Sequence, residues 1–342
     1  MHTFSNYLYL TLSLSILSLF LSIVSIKIYI SVANRFKLFS VPHQGGVRKD
    51  IIPTSGGISF GMIYLLIVIG ISAYFDVPQN YFYSIIIGSG FIMIIGFMDD
   101  IFHLSSGFRL FIQLAFVVFV CYMFGLPQSI HSLDKLLILM IIIIGSIWMI
   151  NTFNFIDGAD GLVATNCAIF SLVGGLFLLI QGQNNLSMLL FSLLGINLGF
   201  LYFNWSPAKI FMGDSGSLFL GSIFVIFSIG AYSNEVLNYW TWLILLSIFY
   251  VETTITLIIR IKRGENALKV HHSHHAYQQI IINSGKHEKP ALLSIIIHTL
   301  WVIPMSILSF IYPDSGFLIT LVTCLPLSIV FYLFGPYKTR NT

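Results

Sequence analysis

The chain has 342 residues, 57% hydrophobic and 8% charged, with a formal net charge of +3 and a mean hydropathy of +0.91. A soluble domain carries about 25% charged residues, so this composition excludes one aqueous fold and makes lipid the solvent. The small charge and the absence of a long basic run before Arg260 give no footing for nucleic acid.

The first apolar run, residues 7–31, is longer than the apolar region of a cleavable signal, about 7–15 residues, and lacks a basic start. It reads as a first membrane helix. About 20 apolar residues span a bilayer, and by that rule further runs lie at 56–75, 81–98, 108–126, 135–153, 159–181, 186–204, 215–232, 238–259, 290–312 and 315–334. The expectation is an all-α, polytopic membrane protein of about eleven largely unbroken helices, because a spanning backbone must satisfy its own hydrogen bonds. No linker or repeat divides residues 1–342, which read as one domain. Cys121, Cys167 and Cys324 sit in apolar stretches without ligand spacing and read as packing residues.

Basic residues set the orientation. Loops after odd-numbered spans, with their helix ends, hold fifteen of the sixteen Lys and Arg residues, and only Lys135 lies on the other side. The positive-inside rule then places the N-terminus outside and the C-terminus in the cytoplasm.

The same parity gathers the polar chemistry. Gly96-Phe97-Met98-Asp99-Asp100 ends the third span. Two adjacent carboxylates at a membrane boundary need cations or metal, though alone the pair reads equally as a solvated helix end. After the fifth span, Asn151, Asn154, Asp157 and Asp160 recur every third residue. The steps Asp157-Gly158 and Asp160-Gly161 predict a tight, exposed loop. Hard oxygens at this density suit Mg²⁺, and the amides opening the next helix suit phosphate. Phe211-Met212-Gly213-Asp214-Ser215-Gly216-Ser217 precedes the eighth span, where Asp214 is a helix cap or, joined to the other acids, a metal ligand.

Arg260, Lys262, Arg263 and Lys269 lead into His271-His272-Ser273-His274-His275-Ala276-Tyr277-Gln278. A basic loop with imidazoles fits a phosphate better than a transition metal; the other reading is a pH-sensitive surface loop. Arg48-Lys49 and Pro53-Thr54-Ser55-Gly56-Gly57 precede the second span. Glu252, inside the ninth span, should face protein or a water-filled cavity. His298 in the tenth reads as helix packing, and Arg109 as a side chain snorkelling to the interface.

Taken in order, these motifs resemble the polyprenyl-phosphate N-acetylhexosamine-1-phosphate transferases, glycosyl transferase family 4. The resemblance runs from about Arg48 to Gln278 and rests on PT/S-x-GG, DD, N-x-x-N-x-x-DG-x-DG and F-M-GD-x-GS, followed by an acid-Thr pair, R-x-x-x-G and a His motif. It implies transfer of an N-acetylhexosamine 1-phosphate, by default from UDP-N-acetylglucosamine, to undecaprenyl phosphate with release of UMP. It further implies a Mg²⁺ cofactor, with Mn²⁺ as the alternative, and a bacterial inner membrane with the site facing the cytoplasm. A homodimer stays open.

The resemblance also implies roles. Asn154 and Asp214 become metal ligands with Asp99, Asp100 and Asp157 close by. Asp99 becomes the base for the acceptor phosphate, although a covalent route through an Asp stays open. Asp160 and Phe211 would hold the uracil, Lys49 would lie near the nucleotide, and Arg260 with His271, His272, His274 and His275 would bind the donor. Two departures stand out. The muramoyl-pentapeptide transferases carry three successive His followed by Phe-Glu, whereas HHSHHAYQ here is closer to the enzymes that initiate O-antigen and lipopolysaccharide synthesis. Glu252 replaces the commoner Asp. The competing class is a secondary transporter, which would use broken helices and midplane charges.

Overall fold

Apolar runs of this length satisfy the backbone internally as helices, and small residues on facing stripes let those helices approach closely in lipid. The computed structural model describes residues 2–40, 51–125, 132–234, 237–264 and 275–335. Among them the helices are α1 (His2–Phe36), α2 (Gly56–Tyr74), α3 (Gln79–Phe102), α4 (Ser106–Phe124), α5 (Ser132–Ile156), α6 (Leu162–Ile180) and α7 (Asn184–Asn204). They continue with α8 (Gly213–Asn234), α9 (Tyr239–Leu245), α10 (Ser247–Lys262), α11 (Ala276–Ser284), α12 (Lys289–Ile311) and α13 (Pro313–Phe334). Among the described residues ten helices are long and apolar enough to cross a membrane, or up to eleven if the bent pair α9–α10 forms one span. The all-α, multi-pass architecture is thus as expected.

Helices α6, α7 and α8 are buried along most of their length and form the centre. Helix α1 packs on α7 through small residues. Thr11, Ser15, Ser18 and Ser22 are buried on one stripe of α1, and a Cβ at Gly195 or Gly199 of α7 would collide with the backbone of that stripe. The Ser22 hydroxyl donates to the Ile196 carbonyl at 2.9 Å. Under the polar end, Phe153 packs edge-on against Phe249 at 4.7 Å, while Phe170 meets Phe224 at 5.5 Å. Phe153 is fully buried, and anchoring it in that cluster fixes its neighbour Asn154.

The ninth span departs from expectation. Instead of one unbroken helix, α9 and α10 meet at 67° around Leu246. No proline or glycine marks the break. Ile244, Leu245 and Leu246 are fully buried there, and irregular backbone at membrane depth is tolerated where protein encloses it. Helix α12 loosens to a π-helical turn at His298–Val302, just before Pro304, whose ring blocks regular helical bonding. His298 is buried as a packing residue, with Nδ1 2.9 Å from the Ser294 carbonyl. All three cysteines are free, and the Cys324 thiol meets the Tyr250 hydroxyl at 3.1 Å.

Candidate active site

Three glycine-bearing motifs meet where α2, α3 and α8 converge. A Cβ at Gly57 would strike the backbone at Ser215 and Gly216, and one at Gly96 would strike the Asp214 carbonyl. Only glycine allows this approach. The segment before α2 also pairs with the one before α8: Phe211 N–H donates to the Pro53 carbonyl at 2.8 Å, and Gly56 and Gly57 donate to Phe211 and Met212, each at 2.9 Å. The motifs at 53–57 and 211–217 are therefore one structural unit.

That unit sets the acids. The two neighbouring carboxylates of α3 point in different directions. Asp100 accepts from the Asp214 amide at 2.8 Å and the Ser215 amide at 3.3 Å, so it caps α8 from another helix. Asp99 is 6% exposed and accepts from the Leu104 amide at 2.7 Å. Its other oxygen takes Arg109 Nη1 at 2.7 Å, and the same nitrogen lies 3.1 Å from Asp214 Oδ2. Asp214 Oδ1 accepts from Asn154 Nδ2 at 2.7 Å, and that amide also reaches the Ser217 hydroxyl at 3.2 Å. Arg109 therefore does not snorkel. Two buried-edge carboxylates attract it inward more strongly than the interface does.

The 157–161 turn is less exposed than its two Asp-Gly steps predict. Ala159 and Asp160 are buried, because Asn204 ties the turn down. Asn204 accepts from the Gly161 amide at 3.0 Å and donates to the Ile210 carbonyl at 2.9 Å. Asp160 Oδ2 takes the Ala208 amide at 3.2 Å, which joins this turn to the segment carrying Phe211. Asp157 is half-buried in the same turn.

A second acid lies on the far side of Phe155. Glu252 is 4% exposed; it takes the Ala276 amide at 2.7 Å, and its other oxygen is 2.9 Å from His275 Nδ1. The expected protein-facing carboxylate is thus the anchor of α11. The His275 ring lies over Phe155 at 6.4 Å, and the Tyr277 hydroxyl donates to the Phe155 carbonyl at 3.1 Å. Burial pushes the Tyr277 hydroxyl well above its ordinary value, with the Glu252 and Asp157 charges adding to the shift, so it remains a donor. Arg260 is buried on α10, about two turns beyond Glu252.

The structure thus brings Asp99, Asp100, Asn154 and Asp214 into direct contact and sets Asp157, Asp160, Phe211 and His275 in the adjoining segments. Lys49, His271, His272 and His274 lie outside the described residues. From sequence Arg109 was read only as an interfacial side chain and not as part of the site, and Asn204 was not singled out. An Arg on the same side as the acids was the available signal for the first, and a lone Asn closing a span gave none for the second.

The donors suit a hard divalent cation. Asp99 and Asp214 already turn an oxygen each toward one positive centre, with the Asn154 amide alongside. Among the described residues no set of three His, Cys, Asp or Glu forms a closed cage. Mg²⁺ needs none, since it keeps waters and takes one or two carboxylates plus substrate phosphates.

Comparison with known proteins agrees with this geometry. The model for "Glycosyl transferase family 4" matches residues 82–232, which span both Asp99 and Asp214. A Bacillus subtilis (strain 168) protein described as "Probable undecaprenyl-phosphate N-acetylglucosaminyl 1-phosphate transferase" is 28% identical over 338 residues, covering 93% of this chain and 87% of the relative. A "Phospho-N-acetylmuramoyl-pentapeptide-transferase" of Streptococcus pyogenes serotype M6 is 27% identical, covering 73% of this chain and 80% of its own. The Streptococcus pneumoniae (strain Taiwan19F-14) protein of the same name is 26% identical, with 79% and 88% covered.

Proposed function

We propose that the chain acts as a glycosyl transferase of family 4, whose model its residues 82–232 match, and that it moves an N-acetylhexosamine 1-phosphate from a UDP-sugar to undecaprenyl phosphate. UDP-N-acetylglucosamine is the donor this reading takes, and the product opens a cell-envelope glycan such as an O-antigen or lipopolysaccharide. The observation that carries the reading is that Asp99 and Asp214 share the single charge of Arg109 while Asn154 donates to Asp214, the three coming from separate helix ends.

In the proposed reaction a lipid-phosphate oxygen attacks the donor's β-phosphorus in line. The bond from that phosphorus to the bridging oxygen breaks, and the electron pair leaves on UMP. Asp99 Oδ2 takes the proton of the acceptor phosphate. Asp100 holds α8 so that Asp214 faces the site, and Glu252 holds His275 toward the donor. Asp160 and Phe211 lie in joined segments suited to the uracil. Mg²⁺, or Mn²⁺ in its place, held by Asp214 and Asn154, would offset the diphosphate charge. Positioning and charge neutralisation carry the rate. The distribution of Lys and Arg supports a site on the cytoplasmic side of a bacterial cell membrane.

The muramoyl-pentapeptide relatives favour a second donor. Purified protein with undecaprenyl phosphate and a panel of UDP-sugars separates the two by UMP release. UMP from UDP-N-acetylhexosamines supports the proposal, and UMP from the muramoyl-pentapeptide donor alone replaces it with the second reading. Absence of UMP with every donor overturns both.

A further inference from the structure

Arg109 makes the most unusual contact in the site. One guanidinium nitrogen lies 2.7 Å from Asp99 Oδ2 and 3.1 Å from Asp214 Oδ2. Two carboxylates so close in a partly buried place need a cation between them, and Arg109 is that cation here. A divalent ion bound to Asp214 at about 2.1 Å, beside Asp99, would lie against the guanidinium nitrogen. Two like charges at that separation repel strongly, so both cannot occupy the place.

The side chain has a way out. It is 31% exposed, and it springs from the first turn of α4, which is capped by the Ser105 hydroxyl on the Phe108 amide at 3.3 Å. Rotation about its own bonds moves the charge toward water while that turn stays in place.

We propose that Arg109 is the resident counter-ion of Asp99 and Asp214 and yields its place when a divalent cation enters. Cation binding is then a competition against an arginine of the same chain. The inference rests on the reading that Asp214 and Asn154 hold the cation beside Asp99. Arg109 is a positioning residue here: it keeps the two carboxylates aligned in the metal-free protein and sets how much cation is needed to fill the site.

The test is Mn²⁺ binding, followed by the EPR signal of the free ion, on full-length protein in detergent without substrate. Arg109→Gln is expected to bind Mn²⁺ about tenfold more tightly than wild type, because a repelling charge is gone. Metal-free Arg109→Gln should also melt lower and recover when Mn²⁺ is added. Arg109→Lys keeps the charge and should bind much as wild type does. If wild type binds Mn²⁺ and Arg109→Gln binds it no more tightly, the competition is overturned. Equal tightening in Arg109→Gln and Arg109→Lys would overturn it too, since shape and not charge would be the cause. If wild type binds no Mn²⁺, or Asp214→Asn binds it equally well, the metal reading fails and takes this inference with it.

Discussion

Two buried-edge carboxylate sites flank Asn154 and Phe155, and they are built differently. On one side Asp99 and Asp214 share a single arginine nitrogen, with Arg109 and Asp214 partly open to water. On the other, Glu252 is enclosed and locked by a backbone amide and the His275 ring. The first arrangement holds its cation within reach of water; the second fixes α11. By their partners and their access to water, these carboxylates thus divide into a pair that is exchangeable under the proposal above and a structural anchor.

That contrast can be broken in order of effect. Asp214→Asn removes a charge from the exchangeable pair, and UMP release should fall about 10²–10³-fold; a near-normal rate would take Asp214 out of the chemistry. Glu252→Gln should cost less, about 1.5–3 kcal/mol from one charge-assisted contact, with Glu252→Asp restoring part of the activity. Equal losses at Glu252 and Asp214 would erase the distinction. Gly96→Ala should push a Cβ against the Asp214 carbonyl and lower stability by about 1–3 kcal/mol, read as a shift in melting temperature.

The smallest effect belongs to Tyr277→Phe, about 0.5–1.5 kcal/mol for one hydrogen bond. Its pH dependence has a definite sign. Burial raises the hydroxyl above its ordinary 10.0, so the folded chain keeps a proton that the unfolded chain releases. Stability is therefore intact below pH 10 and falls as pH climbs beyond it. Tyr277→Phe should flatten part of that alkaline fall in melting temperature; an unchanged slope would contradict the assignment.

Helix number and the three polar helix ends were legible because lipid leaves a backbone few options. Span 56–75 and helix Gly56–Tyr74 agree almost to the residue, since the Gly pair and the apolar run decide both ends. The division of labour between Asp99 and Asp100 was not legible. Adjacent residues on a helix point about 100° apart, and only the placement of α8 and α4 says what each meets. Arg109 was misread because a long cation near a helix end can snorkel or turn inward, and its partners sit on α3 and α8. The break at Leu246 leaves no mark because packing makes it, without proline or glycine. Asn204 joins two loops as an ordinary Asn at the end of a span.

The central claim is that Asp214 and Asn154, from separate helix ends, hold one divalent ion beside Asp99. Anomalous scattering from crystals grown with Mn²⁺ and donor tests it most directly. The account predicts one strong peak about 2.0–2.2 Å from oxygens of Asp214 and Asn154, beside Asp99, with Arg109 turned away. A peak elsewhere, with Arg109 still bridging Asp99 and Asp214, would contradict it.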